Sequence, residues 1–530
     1  MSPSKVTWLC AFSAGALLAW RSPAAVPDSS DGLFTNASIL QLQLHIPAEN
    51  IEQLRDNPRR NIAATVRAGT NVWRDVGVHV KGSIGSFRSI DGKPSLTLTF
   101  DKFLPDQRLQ GLSKIHLNNS VEDPSYLNEL LGNELFRAAG LPAPRVTHAV
   151  VHINERRLGV YVVKEGFTEE FLARYYRKPE GNLYDITRDA HDVNEPMAKD
   201  MGKGPDDHGD LEMLTVAALE PDLALRWERL RKTLDTEQFL SFMAMEVLIG
   251  HRDGYCLARN NFRVYQNVDS NRMVFFPHGM DVLFGNARAP LQPFMNGLVA
   301  RAIMEIPEAR LAYRARCARL STNVVTASGT SAIIDAALPR IRSGLTTSET
   351  KAFEHELAMV RQRIALRLSN VHQQLMQVPL QPLRFEDNVA VVSGWQPVDV
   401  PDGGSLTRTT DEGKPALAIV AGPVTSASWR TKVLLPRGRY RFDAMLRTSH
   451  VEALPFGKNH GATLRVSGAT GTRPQALLGD KSWTTMSLPF EVKEREQEVE
   501  LICELRARRG TAWFAADSLR VFQGDGAQGP

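Results

Sequence analysis

The sequence predicts an α+β fold in which a mixed domain precedes an antiparallel β-sandwich of the jelly-roll type. Strand-like texture dominates the chain up to Val163, and helix-like apolar spacing dominates from Thr236 to Met376. Beyond Met376, a short stretch with two prolines leads into repeated short strand patterns separated by Gly, Pro and Asp turns. The predicted parts are a mixed domain at 37–376, a linker at 377–383 and a sandwich at 384–523.

The N-terminal residues 1–25 have the pattern of a secretory signal peptide. Lys5 precedes an apolar, small-residue run at 6–20, and residues 22–25 offer small residues for cleavage. The run is short for a bilayer-spanning helix, which is the alternative. We therefore expect export, to a secreted, periplasmic or cell-envelope location, with no transmembrane span after cleavage.

Length and composition fit a folded protein of more than one domain. The chain has 530 residues, of which 43% are apolar and 23% charged. The formal net charge of +4 is small for this length, so no nucleic-acid partner is predicted. Outside the signal peptide, three scattered cysteines do not make a disulfide framework, and Cys256 is expected to be a packed free thiol.

Local signals predict a helix and a hairpin in the middle of the chain. Asp235, with Gln238 three positions on, forms a capping box, and Gly250 offers a stop for the helix that follows. Residues 261–265 and 272–276 have strand patterns separated by a turn. The hairpin would return the chain beyond its second strand towards the start of its first.

Later elements follow from apolar spacing and turn residues. Residues 305–311, with Pro307 in the first turn, and 351–376 are predicted to be packed helices. In the C-terminal region, the strand patterns are 416–420, 438–442, 462–466 and 498–502. Repeated strands of this kind predict the sandwich.

Two segments around this hairpin carry the main chemical signal. Asp253 lies in the run His-Arg-Asp-Gly-Tyr, Asn261 follows eight positions on, and Asp281 begins the run Asp-Val-Leu-Phe-Gly. Protein kinases use an Asp, an Asn and a second Asp in this order to orient the acceptor hydroxyl and hold metal on ATP. Turn residues between strands also explain such a cluster. A conventional kinase is excluded, because no Gly-rich loop is followed by a Val-Ala-Ile-Lys strand.

Asn261 and Asp281 are the predicted metal ligands. The hairpin would bring them together, and two oxygen ligands on neighbouring segments suit Mg²⁺ better than a soft metal. His251 and His278 flank the acidic positions, and we expect them to be hydrogen-bonded structural residues, since no His-x-x-x-His helix supports zinc.

Several blocks resemble one family in the right order. They lie at 78–83, 93–100, 117–128, 134–136, 142–145, 159–161 and 181–184. These blocks resemble the CotH kinase family, atypical kinases named for the spore-coat protein H of endospore-forming bacteria. The resemblance extends over roughly residues 37–375 and implies an atypical kinase-like fold.

The resemblance also implies a function and a site. It implies transfer of phosphate from ATP, with Mg²⁺, to a protein hydroxyl. Asp253 would be the catalytic residue, and Lys164, Glu165, Asn261 and Asp281 would bind the cofactor.

Two positions depart from the pattern of phosphorylating family members. Asp185 replaces a Lys that resembles the nucleotide-binding one, and Gly279 replaces one of two paired acidic residues. Negative charge at position 185 would oppose a polyanion unless another cation intervenes. Lys164 or Lys93 could substitute for the lost cation.

The sandwich resembles carbohydrate-binding modules appended to exported bacterial proteins. Trp395, Trp429, Trp483 and Trp513 could stack on sugar rings or pack in the core. Two functions therefore stay open for the chain. One is an exported kinase with a protein acceptor; the other is a non-catalytic pseudokinase scaffold at the cell envelope whose sandwich binds glycan or protein.

Overall fold

The computed structural model describes residues 29–524 except 84, 189, 378–379, 381 and 472–473, together with the side chains of these residues other than 494 and 495. The predicted signal peptide lies outside the described residues. The chain divides into two compact units, with the boundary between Met376 and Gln377. Independent folding of the second unit stays a prediction.

Seven strands of the first unit close into a barrel in the order β1-β2-β3-β4-β5-β7-β6. They are β1 (Leu40–His45), β2 (Ile62–Ala68), β3 (Asn71–Lys81), β4 (Ser95–Thr99), β5 (Lys114–Asn118), β6 (Val146–Ile153) and β7 (Arg156–Glu165). Strands β1 and β6 pair in parallel, and the other neighbours are antiparallel.

The described part of this unit also contains helices and a second sheet. The helices are α1 (Asp31–Thr35), α2 (Ala48–Asp56), α3 (Asn128–Ala138), α4 (Glu169–Ala173), α5 (Gly209–Leu219), α6 (Leu223–Thr233), α7 (Thr236–Leu248), α8 (Tyr255–Ala258), α9 (Leu298–Glu305), α10 (Pro307–Asn323), α11 (Ala327–Gly344) and α12 (Thr347–Met376). A second sheet has the order β11-β10-β8-β9, with β8 (Leu183–Asp185), β9 (Ala198–Met201), β10 (Phe262–Asn267) and β11 (Arg272–Pro277).

The local signals in the middle of the chain are confirmed. Asp235 caps α7, because its side chain accepts a hydrogen bond from the backbone N–H of Gln238 at 3.0 Å. Strands β10 and β11 form the predicted antiparallel hairpin. Pro307 opens α10 at its first position, where the missing N–H costs no hydrogen bond.

The side chains of β7 alternate between the barrel core and the helical core. Tyr161 and Val163 point into the barrel, whereas Val160 and Val162 pack with the helical core. Because successive side chains of a strand face opposite sides, one strand serves both cores. The first unit is therefore a mixed α+β domain, as predicted.

The second unit is antiparallel throughout its described strands. They are β12 (Val389–Val391), β13 (Gln396–Val398), β14 (Ser405–Asp411), β15 (Lys414–Val420), β16 (Thr425–Glu452), β17 (Gly461–Ser467), β18 (Thr470–Gly471), β19 (Gly479–Ala507), β20 (Arg509–Ala515) and β21 (Arg520–Gln523). The long strands β16 and β19 pair along their length, and register shifts let them bend around one apolar core. This is the antiparallel β-sandwich that the sequence predicts.

Candidate phosphoryl-transfer site

A row of polar side chains crosses the outer face of the barrel. His79, Thr97, His116 and Lys164 lie opposite one another on β3, β4, β5 and β7. The Thr97 Oγ1 and His116 Nδ1 atoms are 3.0 Å apart. Their strand neighbours fill the barrel interior, so the polar row faces outward.

Lys164 ends this row in a buried ion pair. Its side chain is 1% exposed, and Nζ lies 2.8 Å from Oε1 of Glu129, which is 3% exposed. Nζ also donates to Nδ1 of His278 at 2.9 Å. Burial and the positive charge of Lys164 hold the pKa of His278 well below its usual value, so this imidazole is neutral and accepts the bond.

Glu129 connects the ion pair to the loop before Asp281. Its Oε2 accepts a hydrogen bond from the backbone N–H of Met280 at 3.0 Å. Burial alone would raise the pKa of Glu129, but the charge and hydrogen bond of Lys164 outweigh burial and lower it. The carboxylate is therefore ionised and uses both oxygens.

A buried turn places Glu129 in the first turn of α3. Asp123 accepts hydrogen bonds from the backbone N–H groups of Ser125 and Asn128, at 3.2 and 2.8 Å. Burial raises the pKa of Asp123 to about 6. The Asn128 amide in turn donates to the backbone oxygen of Asp281 at 2.8 Å. The family-like block at 117–128 thus ends in contacts that orient the site.

Three segments of the site meet at Gly279. This residue has φ +53°, and a Cβ placed on it would overlap the side-chain amide of Asn261. His251 Nε2 lies 3.2 Å from the Gly279 carbonyl oxygen, and the His278 N–H donates to the Asn261 carbonyl at 3.0 Å. Asn261 and the loop leading to Asp281 are therefore adjacent, as the hairpin predicts.

The carboxylate of Asp281 is partly buried near two other carboxylates. Its pKa is raised to about 6, because burial and the negative charges of Glu129 and Glu122 oppose ionisation. A cation here would relieve both effects, and the Asn261 amide offers a second hard oxygen. The described residues contain no group of three or more His, Cys, Asp or Glu that could hold a metal. The two side chains fit Mg²⁺, which takes few protein ligands and keeps water and phosphate oxygens.

Asp253 lies on a loop whose backbone is hydrogen-bonded to a buried carboxylate. The buried Glu246 accepts hydrogen bonds from the backbone N–H groups of Tyr255 and Cys256, at 3.0 and 2.8 Å. A Cβ at Gly254 would overlap the Glu246 carboxylate, so the loop packs closely on it. The Asp253 side chain is 43% exposed and lies 3.7 Å from Arg252. Its carboxylate faces solvent, and no hydrogen bond or ion pair within the described residues joins it to Asn261 or Asp281.

Two further basic side chains, Arg263 and Lys81, lie near Lys164 and His278. Arg263 pairs with Asp185, its direct neighbour across β8 and β10, and its guanidinium lies 5.5 Å from the ring centre of Phe167. Burial lowers the pKa of Arg263 to about 9. Burial, followed by the charge of Lys164, lowers the pKa of Lys81 to about 7. The negative charge at position 185 is thus compensated by an arginine.

Two predicted candidates lie away from this arrangement. Glu165 is next to Lys164 on β7 but faces the other side, where it accepts hydrogen bonds from Arg145 and Arg174. Lys93 lies over the rings of two tyrosines at 5.1 and 5.3 Å. The structure therefore does not bring Glu165 or Lys93 to the ion pair.

Sequence reasoning missed Glu129, Lys81 and Arg263. A strand lysine needs its carboxylate from another element, because its sequence neighbour points to the opposite face. Glu129 directly follows the family-like block at 117–128, and this position was the available signal.

A cavity of about 310 Å³ opens beside the polar row. Its lining includes Thr99 and Lys114 from β4 and β5, and Phe167 and Thr168 from the segment after β7. Phe167 packs against His278 with ring centres 5.6 Å apart. The cavity and the ion pair therefore share a wall.

Comparison with protein families identifies the first unit. The family model described as CotH kinase protein matches residues 78–378, more than half of the chain. The chain belongs to the CotH kinase family. The matched CotH region contains Lys81, Glu129, Lys164 and the three predicted acidic and amide residues.

Curated relatives carry CotH-type names. The inner spore coat protein H of Bacillus subtilis is 23% identical over 34% of this chain and 53% of its own length. Invasin CotH2 of Rhizopus delemar is 28% identical over 32% of each chain. The chain thus spans about half of the first relative and about a third of the second.

Two solved structures are similar to part of the chain. A Helicobacter pylori proinflammatory kinase, CtkA, is 8% identical with a TM-score of 0.27, over 53% of this chain and 94% of that one. TmCBM61, solved with β-1,4-galactotriose, is 16% identical with a TM-score of 0.19, over 25% of this chain and 90% of that one.

The second unit of this CotH protein buries half of its candidate tryptophans. Trp395 and Trp429 are each 3% exposed and belong to the core, whereas Trp483 and Trp513 are half-buried. The Arg447 guanidinium lies 4.8 Å from the Trp513 ring centre. Within the described residues, every helix is too short or too polar to cross a membrane.

Proposed function

We propose that this CotH domain transfers phosphate from Mg²⁺-ATP to a protein hydroxyl. The observation that carries the proposal is the buried Lys164–Glu129 pair beside the partly buried carboxylate of Asp281. A fixed ammonium group and a metal-binding carboxylate at one point are what phosphoryl transfer requires, because its catalysis is mostly positioning and charge stabilisation.

Each residue has a chemical task in this proposal. Lys164 and Lys81 face the phosphates, and Glu129 fixes the direction of the Lys164 ammonium. Asn261 and Asp281 would hold Mg²⁺, which would offset the negative charge of the phosphates. Asp253, exposed on its fixed loop, accepts the proton of the acceptor hydroxyl.

The departures at positions 185 and 279 are compatible with activity. Arg263 neutralises Asp185 across the sheet, so position 185 does not present a free negative charge to phosphate. Asn261 occupies the space that a side chain at Gly279 would need. The cavity beside Phe167 has a volume of about 310 Å³, which is enough for part of a nucleoside.

Binding and transfer by the full-length chain test the proposal. Calorimetry should detect a non-hydrolysable ATP analogue only with Mg²⁺, and Lys164→Met should weaken that binding at least about tenfold. Asp281→Ala should weaken the metal-dependent binding. Asp253→Asn should abolish transfer of labelled phosphate to a serine-rich acceptor protein while binding stays nearly intact.

The alternative function makes different predictions in the same assays. A pseudokinase scaffold would bind nucleotide without transfer, or bind none, and Asp253→Asn would then change nothing. Absence of Mg²⁺-dependent nucleotide binding by the wild-type chain would refute the kinase proposal.

We also propose export of the protein and a glycan ligand for the sandwich. Trp513 is half-buried next to Arg447, which pairs with Asp411 at 2.9 Å. An aromatic ring beside fixed charged groups is a surface that sugars recognise. Retardation of the full-length chain in polysaccharide gels, lost in Trp513→Ala, tests the ligand; equal migration in every gel would contradict it.

A further inference from the structure

A second polar cavity lies beside the loop that carries Asp253. Its volume is about 430 Å³. Its lining residues are Asp192, Asn194, Ala258, Arg259, Asn296, Leu298 and Arg301. Helix α8 begins two residues after Asp253 and ends at this cavity, so the cavity lies on the acceptor side of the site.

A buried carboxylate builds the wall of the cavity. Asp192 is 2% exposed and accepts hydrogen bonds from the backbone N–H groups of Val193 and Leu298, each at 2.8 Å. It also accepts a bond from the Tyr255 hydroxyl at 2.9 Å. These donors occupy its oxygens and fix the start of α9 against α8. Asp192 is therefore structural and offers little to a ligand.

Two arginines supply the charge of the cavity. Arg259, at the end of α8, is 45% exposed and lies 3.7 Å from Glu195. Its charge also partly offsets the burial that raises the pKa of Asp192. Arg301 is half-buried in α9 and makes no ion pair within the described part of the chain. A half-buried guanidinium gains from a carboxylate partner, because charge-assisted hydrogen bonds are about twice as strong as neutral ones.

We propose that this cavity binds an acidic side chain of the acceptor protein and so selects serines or threonines in acidic segments. The inference rests on the proposed kinase function and names its substrate class. Arg259 and Arg301 contact the carboxylate, and the amides of Asn194 and Asn296 border it.

The length of α8 sets the spacing between the acidic residue and the hydroxyl. Two extended residues and one helical turn separate the Cα atoms of Asp253 and Arg259, which are therefore at most about 13 Å apart. An extended acceptor advances about 3.3 Å per residue, so the acidic residue falls within about four positions of the hydroxyl.

Matched peptides test the inference on the full-length chain. Short labelled peptides carry one serine flanked by Asp, by Asn or by Lys, and their binding is followed by fluorescence anisotropy with Mg²⁺ and a non-hydrolysable ATP analogue. The Asp peptide should bind at least about tenfold tighter than the Asn peptide. Arg259→Ala and Arg301→Ala should each remove most of this preference, and Arg301→Glu should shift it towards the Lys peptide.

Arg60→Ala is the matched control, because Arg60 is an exposed arginine between α2 and β2. This variant should keep the full preference. Equal binding of the Asp and Asn peptides, or a preference that survives both cavity variants, would overturn the inference. Transfer of phosphate to the same peptides separates the two hypotheses. A preference for the Asp peptide without transfer leaves the cavity site standing and refutes the kinase. Transfer without that preference supports the kinase and refutes the cavity site.

Discussion

Removal of one partner from the Lys164–Glu129 pair should destabilise the first unit strongly. In Glu129→Gln, a buried ammonium loses its counter-charge and the Met280 N–H loses a charged acceptor. Breaking a buried ion pair in this way costs about 3–5 kcal/mol. The exposed pair Arg342–Glu354 is the matched control, and Glu354→Gln should cost less than about 1 kcal/mol.

A double-mutant cycle separates the pair from its surroundings. Lys164→Met should cost about as much as Glu129→Gln, whereas the double variant should recover much of the loss, because a neutral pair of similar volume needs no counter-charge. Urea unfolding at neutral pH, followed by circular dichroism, gives the free energies. A cost below about 1 kcal/mol for Glu129→Gln, or strict additivity in the double variant, would refute the reasoning.

Three further predictions concern Gly279, Arg263 and His148, a buried residue of β6. Gly279→Asp, which restores the family residue, should weaken Mg²⁺-dependent nucleotide binding, because the new side chain displaces Asn261 and φ is positive; tighter binding in calorimetry would contradict this. Arg263→Ala should weaken nucleotide binding about tenfold, because it leaves the charge of Asp185 unpaired. Adding Asp185→Asn to this variant should restore part of the lost affinity. Equal nucleotide affinities of the wild type and both variants would show that neither charge faces phosphate. Burial lowers the pKa of His148 to about 3, so the neutral imidazole is fully populated above pH about 6.5 and the free energy of unfolding falls as the pH drops below that value. His148→Gln should reduce the pH slope of the free energy of unfolding by up to about 1.4 kcal/mol per pH unit. An unchanged slope would contradict the lowered pKa of His148.

The short-range features of the chain follow from its sequence. The cap of Asp235 on α7 and the hairpin of β10 and β11 depend on residues within a few positions of one another. The same hairpin is enough to bring Asn261 next to the loop of Asp281. Periodicity and capping are local, so they can be read without knowing the fold.

The charge arrangement of the site was decided by tertiary packing. Lys164 finds its carboxylate 35 positions away on α3, and Asn128 reaches the backbone of Asp281 across 153 positions. The neighbour in sequence, Glu165, faces the opposite side of its strand. No local pattern encodes which distant charges meet, because that depends on how the barrel packs against α3 and the second sheet.

The two departures from the family pattern also show what the sequence determines and what the tertiary structure decides. From the sequence, Asp185 and Gly279 are losses of a cation and an acid. In the folded chain, Arg263 lies opposite Asp185 across the sheet, and Asn261 occupies the space beside Gly279. The sequence alone determined which residue types were available, and only the register of β8 with β10 and the close approach at Gly279 decided their partners.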